Sequence, residues 1–302
     1  MAIPVIIDTD PGIDDVVAIS AALFEETLDV KLISTVGGNV GITNTTRNAM
    51  NLVHFLRKDV KVAKGSEAPL LNPLVTASVV HGETGVGGYQ FSEEAPINLL
   101  HKEHAVIAMK DVILSSEEPV TLIPIGPLTN IALLIKLFPE VKANLNKIVL
   151  MGGAAKGGNA TSVAEFNIYV DPHAAKIVFD ESIPIVMCGL DVTRQATITK
   201  DNIDTIRNLN KTGEMLSELL TFYGDSSSSR FEYAVHDMCT IIYITHPEIF
   251  ETKNADVTVV TEGPASGCTV TKFTEDGHVK VCLNADAEAF RKKVIHSISK
   301  AL

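Results

Sequence analysis

No apolar run in this sequence approaches the roughly 20 residues needed to cross a bilayer, so no membrane partner is expected. Positive charge is also short. Lys and Arg total 25 against 37 Asp and Glu, a net charge of −12, which excludes a field that gathers nucleic-acid phosphates. Cysteine is scarce: Cys188, Cys239, Cys268 and Cys282 form no C-x-x-C pair. Their spacing supports neither a zinc site nor a disulfide scaffold, which leaves buried free thiols as the reading. No basic segment precedes the first apolar run, and that run meets Asp8 too soon for a signal peptide; a cytoplasmic protein is expected. Phosphate-binding loops are missing as well. There is no G-x-x-x-x-G-K-[ST], and Gln90 stands where the third glycine of a dinucleotide fingerprint starting at Gly85-Val86-Gly87 would be. No repeat or long linker divides the chain. Ser226–Ser229 reads as a mobile loop rather than a boundary, and residues 1–302 are expected to form one domain.

What is present is a series of short Val- and Ile-rich runs that stop at glycine or polar residues: 5–7, 30–36, 120–125, 147–151 and 183–188. Such runs read as buried strands. Stretches with helical spacing lie between them, at 16–24, 43–56 and 131–137. Strand alternating with helix predicts an α/β fold, an open, mainly parallel twisted sheet with helices on both faces. Beyond about Asp256, weak alternation predicts extra strands followed by a terminal helix over 286–302. In this architecture ligands bind beyond the carboxyl ends of the strands, and the polar clusters of the sequence follow the strands.

The densest cluster is PVIIDTDPGIDDVVAIS, residues 4–20, in which Asp8, Asp10, Asp14 and Asp15 crowd into eight positions. Carboxylates this close repel one another unless a cation, a helix N-terminus or a proton offsets the charge. Asp14 or Asp15 alone would read as a helix cap; four together point to a hard oxygen site for Ca²⁺ or Mg²⁺. An EF-hand loop begun at Asp8 fails, because Ile13 and Ile19 stand where glycine and glutamate are required. A D-x-D closing a first strand also allows an aspartate phosphatase of the haloacid-dehalogenase type with Asp8 as nucleophile, although Gly12 occupies the position where that family has threonine or valine.

Two further clusters carry chemistry. Asn159 to Asn167 contains Glu165, Phe166 and Asn167; in an extended segment Glu165 and Asn167 would face the same way and hydrogen-bond a polyol such as a sugar. His236-Asp237 offers a proton donor beside a carboxylate, and His81 lies in a glycine-rich loop, HGETG, that can close over a ligand.

With these residues in hand, the sequence resembles the inosine–uridine-preferring nucleoside hydrolase family, most of all its bacterial non-specific ribonucleoside hydrolases. The motifs are DTDPGIDD, GGNV at 37–40, GPLTNIA at 126–132, MGG at 151–153, NATSVAEFNIYVDPHAA at 159–175, and HD at 236–237. The resemblance implies a single open α/β domain and Ca²⁺ bound by Asp10, Asp15, Asp237 and the main-chain oxygen of Ile125. It implies that Asp14, Asn39, Asn159, Glu165 and Asn167 hold the ribose hydroxyls with Met151 packed nearby, and that Asp8 orients the site. Asp10 would accept a proton from water, and His236 would protonate the departing base. Members that accept inosine have a histidine at the position of His236, and pyrimidine-preferring members use a loop histidine matching His81; both are present, which implies broad base specificity. Tyr223, in the 223–233 stretch, would stack on the base. The implied partner is a small ribonucleoside, and the implied assembly a homodimer or homotetramer. A phosphatase, or a nucleoside or sugar sensor without turnover, are the rival readings.

Overall fold

The computed structural model describes residues 2–226 and 232–302. Its core is a nine-stranded sheet. In chain order the strands are β1 (Ile3–Thr9), β2 (Leu28–Thr35), β3 (Val62–Lys64), β4 (Val120–Pro124), β5 (Leu145–Met151) and β6 (Ile185–Cys188). A small ribbon, β7 (Thr197–Thr199) with β8 (Glu232–Ala234), stands apart; β9 (Phe250–Val259), β10 (Thr269–Phe273) and β11 (Val279–Ala285) complete the sheet. The strand order is β10-β9-β11-β6-β5-β4-β1-β2-β3. All neighbours pair in parallel except those involving β9.

Side chains that alternate along a strand enter opposite faces, and here each face has its own apolar layer. Val5 and Ile7 of β1, Ile123 of β4 and Val149 of β5 pack with helices Ile13–Phe24, Ile42–Phe55 and Ala287–Ser299. Ile6, Leu122, Ile148 and Leu150 pack on the other side with helices Ala105–Ser115, Thr129–Leu137 and Pro172–Phe179. Burial on both faces is why these strands read as continuous apolar runs.

The expected α/β class and sheet are present, with shifts at the edges. β9 begins at Phe250, ahead of the expected start near Asp256, because the exposed polar residues Glu251, Lys253 and Asn254 mask its period. The last helix spans Ala287–Ser299, with Asp286 as its cap accepting from the Glu288 and Ala289 N–H groups. Ser226 closes helix Lys211–Ser226, while positions 227–229 of the expected serine loop and positions 227–231 of the aromatic stretch lie outside the described residues. No described helix is long and apolar enough to cross a membrane.

The order reverses between β1 and β4: the chain leaves β1 toward β2 and β3, then returns to β4 on the other side. A crevice opens at the carboxyl ends of strands flanking such a switch point. Asp8 and Thr9 end β1, and Asp10 and Ile125 are the first residues beyond β1 and β4.

Candidate active site

The aspartate loop is built by a tight strand-to-helix turn. Gly12 caps helix Ile13–Phe24, and Asp15, in the first turn, accepts the Gly12 N–H at 2.9 Å. Its other oxygen accepts from Thr9 Oγ1 at 2.5 Å. Asp15 therefore caps the helix and also joins the acidic cluster, because Asp14, Asp15 and Asp237 place ligand oxygens within 4.8 Å of one another. Asp237 arrives from the far side of the crevice, immediately before helix Met238–Thr245.

Asp10 falls outside this triad, although the resemblance grouped it with Asp15 and Asp237. Its Oδ2 accepts the Asn39 N–H at 2.6 Å, which turns the carboxylate toward the GGNV loop, and its Oδ1 is buried without a hydrogen bond. A Cβ added at Gly38 or Gly126 would collide with this carboxylate. Asn39 spans the group: its side-chain amide donates to the Asp10 carbonyl and to Asp15 Oδ2, both at 3.2 Å.

The electrostatics are severe. Burial pushes Asp14 up to about 8, with repulsion from Asp15 adding to the shift. Asp10 and Asp237 are driven well above the usual carboxylate range by burial and by their acidic neighbours, and Asp15 is raised mainly by burial. Among the described residues, no lysine or arginine lines the crevice. Buried carboxylates without a cation stay ionised only if something supplies positive charge. An oxygen-only donor set with an unsatisfied buried oxygen on Asp10 fits a hard divalent ion.

A cavity of about 200 Å³ is lined by Asp14 and Asp237 together with Asn39, Met151, Asn159, Glu165 and Asn167. Glu165 corrects the expectation of an extended segment. It is the N-cap of helix Phe166–Val170, and its carboxylate accepts the N–H groups of Gly153, Asn167 and Ile168 at 2.9, 2.9 and 3.2 Å. Asn167 lies inside that helix and donates to the carbonyls of Ile125 and Met151 at 3.1 Å each, tying the ends of β4 and β5 together. The two residues share the cavity through the turn of a helix. Asn159 accepts the Phe166 N–H at 2.8 Å.

His81, Tyr223 and His236 line the cavity as well. His81 and Tyr223 stack with centroids 5.6 Å apart. The Ile13 N–H donates to His81 Nδ1 at 3.1 Å, so the ring proton sits on Nε2; burial pushes this histidine down to about 3. His236 Nδ1 lies 2.7 Å from Thr193 Oγ1, and burial, then Arg194, lower it to about 4. Both rings are neutral near pH 7. The HGETG loop is clamped rather than loose: Asn48 Nδ2 bridges the carbonyls of Pro11 and Thr84 at 3.2 and 2.8 Å.

Asp8 does not line the cavity. Its Oδ1 accepts from Ser34 Oγ and Asn130 Nδ2 on the side of Met109, with burial raising it to about 7. A phosphatase nucleophile would have to face the ligand, so this geometry gives that reading no support. Nothing in the sequence pointed to Ala77, Val80 and Ala160 in the cavity wall, apolar residues in loops or, for Val80, in the short helix Ser78–His81, or to Thr193 behind His236.

The chain belongs to the inosine-uridine preferring nucleoside hydrolase family, whose model matches residues 5–292. It is 46% identical over 295 residues to the non-specific ribonucleoside hydrolase RihC of Salmonella paratyphi B, covering 96% of this chain and 95% of that protein. Its fold matches the purine-preferring ribonucleoside hydrolase from Gardnerella vaginalis with a TM-score of 0.92 at 30% identity over 98% of both chains. A plant nucleoside hydrolase matches with a TM-score of 0.90 at 29% identity over 99% of both. The protein is an enzyme, an N-glycosyl hydrolase.

Proposed function

We propose that this chain uses Ca²⁺ to hydrolyse purine and pyrimidine ribonucleosides to ribose and free base. It would work as one cytoplasmic domain in a homodimer or homotetramer that serves nucleoside salvage. The observation that carries the reading is the make-up of the cavity wall. Carboxylates and amides share one space of about 200 Å³ with the rings of His81, Tyr223 and His236. Ribose offers a diol for the first set and the base offers a flat heterocycle for the second.

Asp10, Asp15, Asp237 and the Ile125 carbonyl would hold the ion. When bound, it offsets the acidic charge, anchors a sugar diol and lowers the pKa of a water. Asp10 Oδ1 takes the proton of the attacking water, since Oδ2 is already engaged by the Asn39 N–H. Asp14, Asn39, Asn159, Glu165 and Asn167 hold the ribose. The C1′–N bond breaks with its electron pair passing to the base, and the ribose develops oxocarbenium-like charge that the surrounding carboxylates stabilise. His236, in the protonated form that is a minority of the resting enzyme at pH 7, supplies a proton to the base nitrogen and ends as the neutral ring. Water's oxygen joins C1′, and the proton gained at Asp10 replaces, through solvent, the one lost from His236. An acid in this position contributes on the order of 10² to 10⁴ in rate.

The non-specific name of the Salmonella relative supports a broad range of bases. The stacked His81–Tyr223 pair supports a second reading, a pyrimidine preference. Release of reducing sugar from inosine, uridine, cytidine, adenosine and guanosine in phosphate-free buffer separates the two. Ribose from purines and pyrimidines, lost on chelation and restored by Ca²⁺, is the expected outcome. Ribose from uridine and cytidine alone would give the narrower enzyme, and none from any nucleoside would overturn both.

A further inference from the structure

Thr193 is fully buried at the end of the short helix Leu190–Thr193, which follows β6. This turn is anchored from several directions. The Leu190 N–H donates to the Gly153 carbonyl at 2.9 Å, and a Cβ at Gly189 would strike that same carbonyl. Asp191 accepts the Ala155 N–H at 2.6 Å, and Arg194 donates to the Gly158 carbonyl at 2.6 Å. Gln195 reaches the Leu283 carbonyl of β11 at 2.9 Å. A hydroxyl carried on so constrained a turn has a fixed position.

That hydroxyl meets His236 Nδ1 at 2.7 Å. His236 itself sits in a connecting segment between β8 and helix Met238–Thr245, so its ring orientation depends on what holds it from outside. We propose that Thr193 is a positioning residue for departure of the base: it holds Nδ1 and thereby presents Nε2 of His236 to the leaving group. A hydroxyl suits this role because its oxygen accepts from a protonated Nδ1 and its O–H donates to a bare one, so it holds the ring by this nitrogen and leaves Nε2 for the base. The same turn holds the 155–159 loop through Asp191 and Arg194, which fixes the ribose-side Asn159 and the base-side His236 relative to one another.

The proposal rests on His236 as the leaving-group acid, and the test separates the two. Four Ca²⁺-loaded enzymes are compared with wild type on inosine and on p-nitrophenyl riboside, whose leaving group needs little protonation: Thr193→Val, Thr193→Ser, His236→Ala and the Thr193→Val/His236→Ala double variant. Valine keeps the shape and removes only the hydrogen bond. The expected result is a fall in kcat on inosine of about 10- to 100-fold for Thr193→Val, the range found when a group orienting a histidine is lost. Turnover of p-nitrophenyl riboside changes by less than about 2-fold, Thr193→Ser recovers most of the inosine rate, and the double variant matches His236→Ala. Equal loss on both substrates, or independent losses in the double variant, would make Thr193 merely structural and overturn the proposal. A defect in His236→Ala without one in Thr193→Val overturns it while leaving the acid reading intact. An inosine rate indifferent to His236→Ala overturns both.

Discussion

The backbone N–H of Asn39 donates to Asp10 Oδ2 at 2.6 Å, so the loop after β2 holds the carboxylate that ends the turn after β1. One oxygen of Asp10 is thereby occupied and the other, Oδ1, is buried and unpaired. Asp10→Ala should lower nucleoside turnover by at least about 10³-fold, since on the proposed function it removes both the general base and an ion ligand. Its circular dichroism and melting should remain those of a folded protein. Full activity in this variant would refute the assignment.

Gly38 tests the same contact from the other side. A Cβ there meets the Asp10 carboxylate and Pro127, whereas one at Gly41, three residues on, meets nothing within 4 Å. Gly38→Ala should cost activity by about 10²-fold or more through displaced reacting groups. Gly41→Ala, at a helix N-cap, should cost under about 1 kcal/mol of stability and leave kcat alone. Similar kinetics for the two would show that the cradle around Asp10 yields easily.

Ion binding should appear in stability before it appears in turnover. The mutual repulsion of Asp14, Asp15 and Asp237 is relieved when a cation binds. Ca²⁺ at about 100 times its Kd should add about 2.7 kcal/mol, read as a rise in Tm by calorimetry, and Asp237→Asn should remove most of that rise. A melting curve that no divalent cation moves would exclude an ion from this site.

The two buried histidines predict a pH dependence of stability. Their folded values, about 3 for His81 and about 4 for His236, lie below the ordinary 6.5, so the unfolded chain binds these protons more readily. The stability they contribute is complete above about pH 6.5 and declines as pH falls toward the folded values, by up to about 1.4 kcal/mol per pH unit for each ring. In His81→Asn the amide oxygen can still accept the Ile13 N–H, but it has no proton to take up. Urea unfolding between pH 7.5 and 5 should therefore give this variant a shallower slope than wild type. Identical slopes would mean that His81 is not held neutral.

Much of this protein was decided locally. Val5, Ile6 and Ile7 are apolar on both faces because β1 is covered on both, and a run of that kind ending in Asp8-Thr9-Asp10-Pro11-Gly12 reads as a strand meeting a turn before any contact is known. The density of carboxylates in that turn is likewise a property of the string, since charges so near in sequence cannot be far apart in space. Tertiary structure decided which oxygens meet. Asp237 lies more than two hundred residues from Asp14 and Asp15, and only the position of helix Met238–Thr245 beside helix Ile13–Phe24 brings its carboxylate into their group. Glu165 was legible as a polar group but not as a cap, because its choice between solvent and the N–H groups of Gly153, Asn167 and Ile168 depends on β5 lying beneath it. Thr193 carried no signal at all; a threonine in a short helix acquires its meaning from the ring that packs against it. Strand and helix follow from short-range periodicity, which a sequence displays. A site depends on directed contacts of a few ångströms between distant segments, and those exist only once the sheet has set the segments side by side.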